Sequence, residues 1–164
     1  MSEYAGLKPQ NLASAEIDGW RGRCIDIYAR AERSVGQSLE VAKNRGKTAK
    51  LPHLGGQRLA QMTAIAETCD ATARQTAALR AALAEWHNVE LRRPFFAHGI
   101  ATPLQDNHSS WYVMFDFTAY RSNQPAPERW TLSKLEADDF ENRLSLAFAG
   151  LSRELGQLKK RLSA

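Results

Sequence analysis

Cysteine is scarce in this sequence: Cys24 and Cys69 stand alone, 45 positions apart. Two thiols so placed form neither a metal-ligand spacing nor a redox pair, and they cannot staple a small secreted fold. Long apolar runs are missing too; no stretch approaches the ~20 residues that a membrane-spanning helix requires. The opening Met1-Ser2-Glu3-Tyr4-Ala5-Gly6 has neither the basic start nor the apolar segment of a secretory signal. The expectation is a cytoplasmic protein with reduced thiols and no membrane partner. A phosphate-binding glycine loop is absent, since Gly55-Gly56 is not followed by Lys and Ser/Thr. Ser109-Ser110 lacks the setting of a nucleophile elbow. His87 and Glu90, three apart, supply only two ligands, and His53 and His108 sit in loop-like stretches without ligand neighbours. No metal and no cofactor are expected.

What remains is a chain of 164 residues, 43% hydrophobic and 24% charged, which suits one domain with its own core. The 22 Lys+Arg against 18 Asp+Glu leave a net charge of only +4. For a nucleic-acid partner a concentrated basic face matters more than that total. Within the first third of the chain Lys43, Arg45, Lys47 and Lys50 make a short basic run, with no acid among them. It reads either as a solvated loop or as a track for phosphates.

The periodicity is helical over most of the length. Residues 1–13 read as a leader, and 14–164 as a single domain. Ile17, Trp20, Cys24, Ile27, Ala31, Val35, Leu39 and Ala42 recur every three or four residues, so they share one face of a first helix. Arg21, Arg23, Asp26, Arg30 and Arg33 fall elsewhere on its surface. Gly46 ends it, and Pro52, Gly55 and Gly56 mark a loop. Residues 57–92 are rich in Ala, Leu, Gln, Arg and Glu, all good helix formers. Leu59, Met62, Ile65 or Ala66, Cys69 and Ala73 trace one stripe; Leu79, Leu83 and Trp86 trace another, with a break near Asp70 left open. Pro94 stops or kinks the helix, and residues 100–110 read as loop.

Trp111-Tyr112-Val113-Met114-Phe115-Asp116-Phe117-Thr118 is aromatic and β-branched, and reads as a strand. Glu128-Arg129-Trp130-Thr131-Leu132 returns as its partner in a hairpin over 111–132. Its aromatic residues could stack on bases, but a hairpin leaning on helices needs them for its core. Ser133 and Glu136 form a capping box, with Asp138 and Asp139 near the helix start. Phe140, Leu144, Ala147, Leu151, Leu155, Leu158 and Leu162 then line one face, and Lys159, Lys160 and Arg161 complement the dipole at the far end. The fold class expected is mainly α: a helical bundle of about four helices with a small β-hairpin before the last.

One segment carries chemistry. In Trp86-His87-Asn88-Val89-Glu90-Leu91-Arg92-Arg93-Pro94-Phe95-Phe96-Ala97-His98-Gly99, Arg93 precedes His98 by five positions at the end of an Ala/Leu-rich helix. Here the chain resembles the HEPN superfamily, all-helical bundles with an arginine and a histidine separated by four to six intervening residues. The order of elements over residues 14–162 agrees with that resemblance. It implies a metal-independent ribonuclease of toxin or defence type, with a site at a homodimer interface and a protein partner such as an antitoxin. Imidazole moves protons near neutrality, and guanidinium grips two phosphate oxygens at once. The catalytic candidates are Arg93 and His98, with Arg92, Lys43, Arg45 and Lys47 as phosphate-binding candidates. Either Arg92 or Arg93 satisfies the spacing. On an ideal helix Arg93 and His98 lie about 140° apart, so a bend at Pro94 or a second copy must bring them together.

The sequence departs from the family in one respect: active members carry a polar residue after the arginine, where this chain has Pro94. That supports an alternative, a catalytically silent interaction protein that dimerises or binds a partner or nucleotide. In that reading Arg93 is a surface ion-pair partner and His98 caps the last carbonyls of its helix. A third reading is a nucleic-acid-binding regulator that uses residues 43–50.

Overall fold

The computed structural model describes residues 9–48, 50–68, 71–106 and 110–164, with side chains from residue 12 onward. It is mainly helical: α1 (Pro9–Asn44), α2 (Gly55–Thr68), α3 (Ala73–Glu90), the short α4 (Arg93–His98) and α5 (Lys134–Ser163). Between α4 and α5 lie β1 (Ile100–Gln105), β2 (Trp111–Arg121) and β3 (Gln124–Ser133), an antiparallel sheet in the order β1-β2-β3. Cys69, Asp70 and His108 fall outside the described residues. The chain groups into two compact units, one of Met1–Asp26 with Leu91–Arg143, the other of Ile27–Glu90 with Leu144–Ala164. No helix among the described residues is long and apolar enough to cross a membrane.

α1 begins at Pro9, ahead of the start expected at residue 14, because proline is tolerated in a first helical turn, where amides lack intrahelical partners. Its buried face runs Ala13, Ile17, Trp20, Cys24, Tyr28, Ala31, Val35, Leu39 and Ala42. Tyr28 takes the inward position expected for Ile27, which is half-exposed. The helix ends where expected: Gly46 adopts φ +70°, while Gly46 N–H donates to the Lys43 carbonyl and Lys47 N–H to the Ala42 carbonyl. That pair of bonds is a Schellman motif, and the left-handed φ is why glycine stands there.

The second unit collects the rest of α1 with α2, α3 and the end of α5. Leu59, Met62, Ile65 and Ala66 bury the inner face of α2, and Leu79, Leu83, Trp86 and Val89 that of α3. Trp86 packs edge-on against Tyr28 at 5.7 Å and Phe148 at 6.4 Å. The Tyr28 hydroxyl donates to the Val89 carbonyl at 2.7 Å, satisfying an acceptor in the last turn of α3. A capping box starts that helix: Thr72 N–H donates to Gln75 Oε1 at 3.0 Å, and Gln75 N–H to Thr72 Oγ1 at 3.3 Å.

The first unit is built on aromatic packing. Trp20, 1% exposed, lies 5.2 Å from Phe96, 6.2 Å from Phe115 and 6.5 Å from Trp111. Its indole donates to the Ala137 carbonyl at 2.9 Å. Phe96 stacks on Phe140 at 5.6 Å. Trp111 and Phe115 are therefore core rather than base-stacking surface. Cys24 is fully buried; burial, aided by the Glu141 carboxylate, pushes its thiol up to about 12, so at neutral pH it is an inert core side chain.

The sequence pattern predicts two strands, and the sheet has three. Residues 100–105, which read as loop, pair with β2 from Ile100↔Asp116 to Gln105↔Trp111. The β2–β3 turn is Ser122-Asn123, both at positive φ as a type I′ hairpin requires. From that turn the antiparallel alternation points the amide positions of Pro125 and Pro127 away from β2, and that of Pro103 likewise. All three prolines thus sit where a missing N–H costs no ladder bond and where it discourages pairing with another chain.

α5 opens with the expected box. Ser133 N–H and Oγ–H both donate to Glu136 Oε2, at 2.8 and 2.7 Å, and Glu136 N–H donates back to Ser133 Oγ at 3.3 Å. The backbone and then the side-chain bond from Ser133 hold the Glu136 carboxyl below its usual range. A carboxyl with a lowered folded-state pKa stabilises the fold above its ordinary pKa, and that contribution is lost as pH falls through the folded-state value. Ser133→Ala is accordingly expected to lower the melting temperature at pH 7. The gap between variant and wild type should shrink below about pH 4.5, read by circular dichroism melts across an acid series. A gap independent of pH would contradict the assignment.

Candidate nucleic-acid interface around α4

The candidate site belongs to the first unit. α3 ends at Glu90, Leu91 and Arg92 form a turn, and α4 runs unbroken from Arg93 to His98 with Pro94 in its first turn. Pro94 thus starts a helix instead of bending one. Over five residue steps of about 100°, Arg93 and His98 point about 140° apart and stand about 7.5 Å apart along the axis. Within a single chain the helix does not turn the two onto a shared face.

His98 is exposed. Capping of α4, the structural role open to it, is carried by another residue. Arg21 donates from Nη2 to the Phe96 carbonyl at 2.6 Å and to the Gly99 carbonyl at 3.1 Å, and from Nε to Phe96 at 3.1 Å. Its guanidinium also lies 5.8 Å from the Phe115 ring centroid. A half-buried cation on the last carbonyls of a helix satisfies both their acceptors and the dipole. Arg21 is therefore no surface residue of α1, as its place outside the apolar stripe suggested, but the fastening of α4. The sequence signal was available only as an arginine next to a core tryptophan, which is too common to be diagnostic.

Gly99 is required by contact. Its φ of −73° is open to any residue, but a Cβ there would overlap the Phe95 carbonyl oxygen and crowd that residue's C and Cα at 3.1 and 3.2 Å. The glycine lets the chain leave α4 tightly into β1, with Gly99 N–H donating to the Phe95 carbonyl at 3.0 Å.

The two motif arginines differ. Arg93 is half-buried and engaged within the chain. Arg92 is exposed, its guanidinium 5.1 Å from the Trp130 ring centroid and 5.9 Å from that of Phe95. The remaining phosphate candidates lie in the second unit. Lys43 and Lys47 are exposed, Lys47 being engaged within the chain, and Arg45 Nη2 donates to the Ser163 carbonyl at 2.9 Å, which gives it a structural task at the end of α5. His87 and Glu90 line a groove of about 580 Å³ between α2 and α3, floored by Leu59 and Leu83 and crossed by a 4.0 Å pair of Arg80 with Glu67. Among the described residues no three His, Cys, Asp or Glu side chains gather as a metal site would need.

No family model, curated protein or solved structure matches this chain.

Proposed function

We propose that this protein is an RNA-directed helical-bundle protein of HEPN-like type, a metal-independent endoribonuclease whose site is completed across a homodimer. The observation that carries the reading is the exposed His98, relieved of helix capping by Arg21, at the opposite end of α4 from two arginines. An imidazole in contact with solvent and free of a capping task is available to exchange protons. Because Arg93 and His98 diverge around α4, the guanidinium that faces a given His98 comes from a second copy related by a two-fold axis.

The chemistry closes without a metal. The 2′-hydroxyl attacks the adjacent phosphorus, the P–O5′ bond breaks, and the products are a 2′,3′-cyclic phosphate and a 5′-hydroxyl. His98 takes the proton from the 2′-oxygen and as imidazolium returns it to O5′, while a guanidinium balances charge on the phosphoryl oxygens. Cleavage of RNA in the presence of chelator tests this. His98→Ala is expected to lower the rate about 10²–10⁴-fold with an unchanged melting temperature. Mixing His98→Ala with Arg93→Ala is expected to restore about a quarter of wild-type activity, since half the dimers are mixed and each holds one intact site. Equal cleavage by wild type and His98→Ala, or none by either, overturns the reading.

One observation favours a second reading, the catalytically silent interaction protein. Pro94 occupies the first turn of α4 beside an Arg93 already engaged within the chain. An RNA-inert protein that still dimerises in solution would establish it.

A further inference from the structure

We propose that Arg92 and Trp130 form a grip for one phosphodiester of an unpaired RNA strand, with Arg92 touching the phosphate and Trp130 acting as the positioning residue. The inference rests on the RNA reading of α4 and specifies its substrate as single-stranded.

Several arginines among the described residues face a carboxylate: Arg23 meets Glu141, Arg58 meets Glu32, Arg80 meets Glu67, Arg121 meets Glu128, Arg129 meets Asp116 and Arg153 meets Glu154. Arg92 has no carboxylate partner among the described residues. Its contacts are two aromatic rings, Trp130 and Phe95. Guanidinium laid against an aromatic ring loses rotamer freedom without giving up its hydrogen-bond donors, because the ring contacts the plane and the N–H groups lie along its edge. The platform itself is fixed. Trp130 stacks on Phe115 at 6.0 Å and meets Phe140 edge-on at 5.1 Å and Phe96 at 5.8 Å.

The result is an exposed cation with no carboxylate partner among the described residues, which suits an anion whose oxygens accept two bonds side by side. The neighbours of α4 narrow the choice of anion. Leu91, which precedes Arg92, is 62% exposed. An apolar side chain beside a phosphate site can meet the face of an unstacked base, which a duplex hides inside its stack.

The test is binding of the full chain to a 2′-O-methyl oligoribonucleotide, which lacks the nucleophile and cannot be cleaved. Fluorescence anisotropy is read over a range of salt, for the single strand and for the same sequence as a duplex. The single strand should bind more tightly. Arg92→Ala should weaken it about tenfold and flatten the slope of log affinity against log salt by about 0.7. Arg92→Lys, which keeps the charge and the fold, should keep the slope and lose most of the affinity. Trp130→Leu should lower the affinity while keeping the salt slope, since the guanidinium remains, and should add nothing to the loss in Arg92→Ala, with Trp130→Phe restoring binding. Wild-type affinity and slope in both Arg92 variants, with RNA still bound, would overturn the grip and leave the RNA reading standing. Preference for the duplex would overturn the unpaired-strand assignment. Absence of binding to either probe would remove the RNA reading, and the grip with it.

Discussion

Trp20→Ala is expected to cost about 3–5 kcal/mol in urea unfolding, because it empties the centre of the aromatic cluster. The substitution removes a side chain that is 1% exposed and touches three other aromatic rings. It also removes the hydrogen bond from the indole N–H to the Ala137 carbonyl. Trp20→Phe separates the two contributions: most of the ring contact stays, while the lost hydrogen bond alone should cost about 0.5–1.5 kcal/mol. A Trp20→Ala loss below about 1 kcal/mol would show that this aromatic cluster does not hold the unit together.

Gly99→Ala should act at both levels, fold and site. A methyl group cannot enter where the Phe95 carbonyl oxygen already lies, so the α4–β1 junction must move. Forced shifts of backbone in a packed region cost about 1–3 kcal/mol. Movement there also loosens the Arg21 bonds to the Phe96 and Gly99 carbonyls and turns His98, the neighbouring residue, away from its position. If His98 moves protons in RNA cleavage, an error of about 1 Å lowers the rate about 10²-fold. The rate loss should therefore exceed what the melting curve predicts from the unfolded fraction. Loss of activity only in proportion to unfolding would make Gly99 a purely structural residue.

Much of the secondary structure was legible because periodicity and caps are local. The α1 stripe, the Gly46 terminus, the Ser133–Glu136 box and the aromatic strand each announce themselves within a few residues. Thr72-Ala73-Arg74-Gln75 was equally local, and it decides the break between α2 and α3 that the apolar stripes left open. β1 was not legible. Ile100-Ala101-Thr102-Pro103-Leu104-Gln105 contains a proline and little β-branching, and it becomes a strand because β2 supplies a partner on the side away from the Pro103 nitrogen. Pairing of that kind depends on a partner segment that local propensity does not encode.

The candidate site divides along the same line. Arg93, His98 and Gly99 were legible as a spacing, and the geometry on an ideal helix already showed the first two diverging. That α4 starts at Arg93, that Arg21 fastens its far end, and that Arg92 lies on Trp130 were not. The amino-acid order by itself determined which residues form helices and which faces are apolar, since 3.6-residue periodicity and terminal capping are properties of neighbours in the chain. Only the tertiary structure decided which polar groups are spent on the fold and which remain open to a ligand. That follows because a cation's partner, whether a distant carbonyl, an aromatic face or solvent, is fixed by packing between segments and not by anything within reach along the chain.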